Sequence, residues 1–127
     1  MIFVDANVFM YAVGGEHPLR RPSIEFFFEA RRATSNPLFT SAEVLQELLH
    51  TYVPQGRADD LDAALQLAID VCAEVWPVEV ADVRLGRTLM RSYPALSARG
   101  LLHLASCRRR NVRAMKTYDR ALAAAFA

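Results

Sequence analysis

The chain has 127 residues, 53% of them hydrophobic and 23% charged, with a formal net charge of +1. That length and apolar content suit one domain with a buried core and exclude a disordered chain. The near-neutral balance excludes a protein that holds nucleic acid by bulk charge. No apolar run approaches the roughly 20 residues that span a bilayer, so no membrane role is expected.

The opening "MIFVDANVF" has no basic n-region and carries Asp5, so it does not read as a signal peptide. Cys72 and Cys107 stand alone in helix-like segments, with neither disulfide nor zinc spacing, and a cytoplasmic address is expected. Of the 15 basic residues, Lys116 is the only Lys. An Arg-rich chain reflects either genomic bias, since Ala is abundant too, or the fit of the planar guanidinium to phosphate and carboxylate.

Taken in order, the elements alternate. "MIFVD" (1–5) is the first buried strand, followed by a short helix over Phe9 to Val13 and a longer one over Arg21 to Arg32. "PLFT" (37–40) is the second strand, and Ser41 caps a helix to Val53 with Val44, Leu45, Leu48, Leu49 and Tyr52 on one face. A helix over Ala58 to Ala73 leads to the third strand, "EVWPV" (74–78). Helices over Val80 to Arg91 and Ser97 to Arg110 lead to the fourth, "VRAMKTY" (112–118), and a short Ala-rich helix follows from Arg120. Strands that are apolar throughout and alternate with helices predict an α/β domain, 1–127, with a mostly parallel four-stranded sheet covered on both faces.

Open parallel sheets bind ligands at the carboxyl ends of their strands. Asp5 ends the first strand, Ser41 and its helix follow the second, and Thr117 and Asp119 follow the fourth. Asp5 and Asp119 can each be read as plain helix caps or as ligands. On the helix after Ser41, Glu43 lies in the first turn, where any acid gains from the helix dipole, and reads as structural. Glu47, one turn further on, has no such role and is the better ligand candidate. Carboxylates gathered at strand ends repel one another unless a hard cation such as Mg²⁺ or Mn²⁺ joins them.

The segment "LSARGLLHLAS" holds an anomaly. Ser97 is a good N-cap, whose favoured partner three residues on is acidic or an amide, yet that position is Gly100. Glycine inside a helix costs about 1 kcal/mol relative to alanine.

"FVDANVFMYA", "TSAEVLQELLH", "LSARGLLHLA" and "KTYDRAL", in this order and spacing, resemble a PIN domain of the VapC toxin type over residues 1 to about 120. The resemblance implies a three-layer fold and an Mg²⁺- or Mn²⁺-dependent endoribonuclease cutting structured RNA. It implies metal-binding, catalytic roles for Asp5, Glu47 and Asp119, with Asn7, Ser41 and Thr117 in support. Its remaining Asp, in a segment commonly of the form S-A-R-D-A-x-H-x-A, falls on Gly100. The resemblance thus implies a ligand position left vacant, and with it lowered metal affinity and rate on an intact fold. It further implies a VapB-type antitoxin whose tail covers the acidic groove, and a homodimer. Many family members carry an edge strand after the last Asp; here "LAAAFA" follows, so four strands are expected.

Arg108, Arg109 and Arg110 close a helix, where cations suit the dipole, or touch RNA phosphate, as Lys116 could also do. His103 matches the family histidine but, alone among leucines, reads as a packed residue. His17 and His50 fit no ligand spacing. Trp76 and the phenylalanines of "EFFFEA" read as core or interface. Two rival functions remain. One is a silenced PIN module that binds RNA or antitoxin, supported by Gly100. The other is a receiver-type phosphoacceptor, disfavoured because the first strand ends in a single Asp rather than an acidic pair.

Overall fold

A computed structural model describes all 127 residues. Four short strands, β1 (Ile2–Val4), β2 (Leu38–Ser41), β3 (Glu74–Trp76) and β4 (Ala114–Lys116), form one sheet in the order β3-β2-β1-β4, and every pairing is parallel. Parallel neighbours require crossovers, and six helices supply them, α1 (Ala6–Val13), α2 (Arg20–Arg31), α3 (Ala42–Tyr52), α4 (Ala58–Val71), α5 (Val80–Leu89) and α6 (Ala98–Arg109), while α7 (Arg120–Ala125) follows the last strand. The expected four-stranded α/β architecture is therefore present, and its sheet is wholly parallel.

The apolar runs of the central strands β1 and β2 are buried between the helices, whereas the edge strands β3 and β4 are half-buried or exposed along most of their length. Phe3 and Val4 of β1 and Leu38 of β2 are almost fully enclosed with Val44 and Leu48 of α3 and Val8 and Phe9 of α1. Trp76 fills the region over β3, stacking on Phe3 and Phe39 with ring centroids 5.6 Å apart in each case. Phe27 of the "EFFFEA" segment joins this core against Phe9, whereas Phe28 faces solvent.

Several boundaries differ from the expectation, the fourth strand covering only Ala114–Lys116 of 112–118, and two of the differences have direct physical reasons. The first helix begins at Ala6 rather than Phe9, because Asp5 leaves the strand and caps the helix at once. The third strand ends at Trp76 rather than Val78, where Pro77, which lacks an N–H, cannot extend the ladder. Strand order places β1 beside β4, the two strands whose outgoing connections diverge, so a cleft opens at their carboxyl ends.

Candidate metal centre

Asp5 sits at that cleft and is almost fully buried. Its Oδ1 accepts from the Ala6 N–H at 2.8 Å, and its Oδ2 accepts from the Thr117 hydroxyl at 2.6 Å. Asn7 links the same two strand ends: its amide lies 3.4 Å from Asp5 Oδ2 and from Thr117 Oγ1, and its Oδ1 accepts from the Tyr118 N–H at 3.2 Å. Asn7 and Thr117, expected in support, are both hydrogen-bonded at the Asp5 carboxylate.

Ser41 ends β2 and caps α3, its hydroxyl accepting from the Val44 N–H at 3.4 Å. That cap sets the direction of α3, and Glu47 then projects toward Asp5. Glu43, in the first turn of α3, pairs with Arg99 of α6 at 3.4 Å. One turn on, Glu47 Oε1 meets His103 Nε2 of α6 at 2.6 Å. The two side-chain contacts link α3 to α6.

His103 is 2% exposed, and its Nε2 also lies 3.7 Å from Asp5 Oδ1. Ligand atoms of Asp5, Glu47 and His103 all fall within 4.8 Å of one another. The ring packs on Phe3, centroids 5.3 Å apart, and its Nδ1 is buried without a partner. Reading His103 as merely packed captures its burial but misses its direction. The available signal was its place three residues after Gly100, on the same face of α6.

Asp119 lies outside this trio. Its Oδ1 accepts from the Leu122 N–H at 3.0 Å and caps α7, while its own N–H donates to Thr117 Oγ1 at 3.0 Å. Thr117 therefore bridges Asp119 and Asp5. At Gly100, the N–H donates to Ser97 Oγ at 3.1 Å, and an added Cβ would meet Leu96 and Ser97 at 3.5 Å, ordinary contact distance. Nothing in the backbone there demands glycine.

Burial pushes the Asp5 carboxyl above its ordinary value; the His103 ring, the Thr117 hydroxyl and the Ala6 N–H act against that rise, and Glu47 adds to it. An uncompensated carboxylate in this position favours any cation that shares it. The donor set, two carboxylates and an imidazole converging at a strand end, fits a divalent ion.

The basic residues are engaged elsewhere. Arg109 and Arg110 both donate to Asp82 Oδ1 of α5, at 2.7 and 3.0 Å, and Arg110 lies over the Trp76 ring. Arg108 donates to the Tyr93 hydroxyl and lies over its ring. Lys116 lies over the rings of Phe26 and Tyr118. No helix of the protein is long and apolar enough to cross a membrane.

The PIN domain family matches residues 2–126. Ribonuclease VapC23 of Mycobacterium tuberculosis is 56% identical over 126 residues, spanning 99% of this chain and 98% of that protein. The crystal structure of VapC20 from the same organism, described as a Sarcin-Ricin loop cleaving toxin, superposes with a TM-score of 0.81 at 16% identity, covering 98% of this chain and 95% of that one. VapBC2 of Rickettsia felis, solved on a DNA fragment from its promoter, gives a TM-score of 0.66 at 17% identity over 94% of this chain and 88% of that one. With the family spanning nearly every residue and the strand-end carboxylates in place, the chain belongs to the PIN domain family, among the VapC ribonucleases.

Proposed function

We propose that this protein is the endoribonuclease toxin of a VapBC-type pair, that it requires Mg²⁺ or Mn²⁺, and that Gly100 lowers its activity. The convergence of Asp5 and Glu47 carries this reading, in a chain 56% identical to a protein named as a ribonuclease. Asp5 and Glu47 would hold the ion, and Asp119 would act through an intervening water. When bound, the ion polarises a phosphoryl oxygen and lowers the pKa of the attacking water.

The protein's own groups supply order around that chemistry. Thr117 and Asn7 fix the Asp5 carboxylate in one orientation, and the His103 contact fixes Glu47. Gly100 withholds a carboxylate from the helix turn next to His103, which leaves the ion less tightly held. The partners on this reading are a structured RNA substrate, a VapB-type antitoxin and a second copy of the chain. The setting is the cytoplasm.

The alternative is a PIN module without catalysis that binds RNA or antitoxin, and Gly100 favours it. Incubating the protein and its Gly100→Asp variant with total tRNA and rRNA, in Mg²⁺, Mn²⁺ or EDTA, separates the two. Discrete fragments that need metal and increase in the variant support an impaired nuclease. No fragments from either protein would transfer the assignment to the binding module.

A further inference from the structure

We propose that His103 Nε2 is itself a metal ligand, and that Asp5, Glu47 and His103 form a two-carboxylate, one-imidazole site preferring nitrogen-accepting transition ions over Mg²⁺. The inference rests on the divalent-ion reading above and specifies which ion the site selects.

Geometry comes first. Nε2 lies 2.6 Å from Glu47 Oε1 and 3.7 Å from Asp5 Oδ1. Bonds of about 2.1 Å place neighbouring ligands about 3.0 Å apart and opposite ligands about 4.2 Å apart. An ion therefore requires His103 and Glu47 to separate by only a few tenths of an ångström, a small adjustment for a Glu side chain that is 17% exposed.

The protons also balance. Ligation uses the Nε2 lone pair, which leaves a ring proton on Nδ1, where no existing hydrogen bond has to be broken.

Selectivity follows from donor type. Mg²⁺ takes oxygen ligands and keeps its waters, whereas imidazole suits Zn²⁺, Co²⁺ and Ni²⁺, with Mn²⁺ between. A carboxylate at position 100 would supply a further oxygen; Gly100 supplies none, so the imidazole becomes a larger share of the donor set.

The test uses the full chain. Binding of Mg²⁺, Mn²⁺, Co²⁺ and Zn²⁺ is measured by calorimetry, and pulsed electron paramagnetic resonance of the Mn²⁺-loaded protein reads nitrogen hyperfine coupling. Co²⁺ and Zn²⁺ should bind at least tenfold more tightly than Mg²⁺. The Mn²⁺ signal should carry a histidine nitrogen coupling that changes isotope pattern when histidine is ¹⁵N-labelled, a readout that needs no substitution. His103→Gln should abolish it, while the exposed-site variants His17→Gln and His50→Gln keep it. Ions that bind without nitrogen coupling, or Mg²⁺ that binds as tightly as Co²⁺, overturn the proposal but leave the divalent-ion reading intact. No binding of any ion at millimolar concentration overturns both.

Discussion

His103 Nε2 and Glu47 Oε1 approach to 2.6 Å and join α6 to α3 beside the Asp5 carboxylate. One contact thus connects the helix that follows the second strand, the helix that precedes the fourth, and the end of the first. The same contact puts an imidazole where two acids would otherwise face each other.

Asp5 is the first point of test. Burial raises its folded pKa, so it holds its proton more tightly folded than unfolded. Its ionisation therefore weakens the metal-free fold above the folded pKa, and this penalty fades as pH falls toward the unfolded value of 3.8. In EDTA at pH 7, Asp5→Asn should stabilise the protein by about 1 kcal/mol, read as a higher midpoint in thermal unfolding. The same variant should lose metal-dependent activity. A lower midpoint in EDTA would contradict the electrostatic account of the site.

Asp82 behaves in the opposite sense. Although burial alone would raise its pKa, the Glu79 N–H and the guanidiniums of Arg110 and Arg109 hold it below its ordinary value. Its stabilisation is present above the unfolded value of 3.8 and is lost as pH falls through the lower folded value. Asp82→Asn should cost about 1 to 2 kcal/mol at pH 7, since it removes the buried carboxylate shared by both arginines and leaves them only Glu79 as a charged partner. Denaturant melts of the two proteins should converge as the pH is lowered below about 4.

Thr117 should divide stability from orientation. Its hydroxyl donates to Asp5 and accepts from the Asp119 N–H, so Thr117→Val strips the Asp119 N–H of its partner and leaves Asp5 Oδ2 only the longer Asn7 contact. The loss should be about 1 to 2 kcal/mol. Thr117→Ser keeps the hydroxyl and should recover most of the metal affinity lost in the valine variant, as calorimetry would show.

At Gly100, Asp should fit without strain, because its Cβ meets only ordinary contacts and an acid in the first helical turn suits the dipole. Gly100→Asp should leave the unfolding midpoint within about 1 kcal/mol of the parent in EDTA. It should raise Mg²⁺-dependent RNA cleavage by at least about tenfold. A destabilised variant with unchanged cleavage would remove Gly100 from the account.

The strand ends are legible in the sequence because each apolar run stops at a polar residue with a local job: Asp5 caps α1, Ser41 caps α3 and Asp119 caps α7. Position along the helix also separates Glu43, in the first turn, from Glu47, and the structure gives Glu43 its salt bridge with Arg99. The direction of His103 is legible only in part: its place one turn after Gly100 puts it on the same face of α6, but burial there also suits packing among leucines, and the sheet's placement decides. Nor is the fate of Arg109 and Arg110: their partner Asp82 lies 27 and 28 residues away on α5, and nothing in the local pattern announces that pairing. Helix starts differ for a similar reason, because a cap that is also a ligand candidate belongs to strand and helix at once.

On the proposed reading the carboxylates after β1 and in α3 hold a divalent ion, and an anomalous difference map from Mn²⁺-soaked crystals of the full chain would reveal it. One strong peak is expected within bonding distance of Asp5 and Glu47, lost in Glu47→Gln. A map with no peak there, or with manganese bound only at other surface acids, would contradict it.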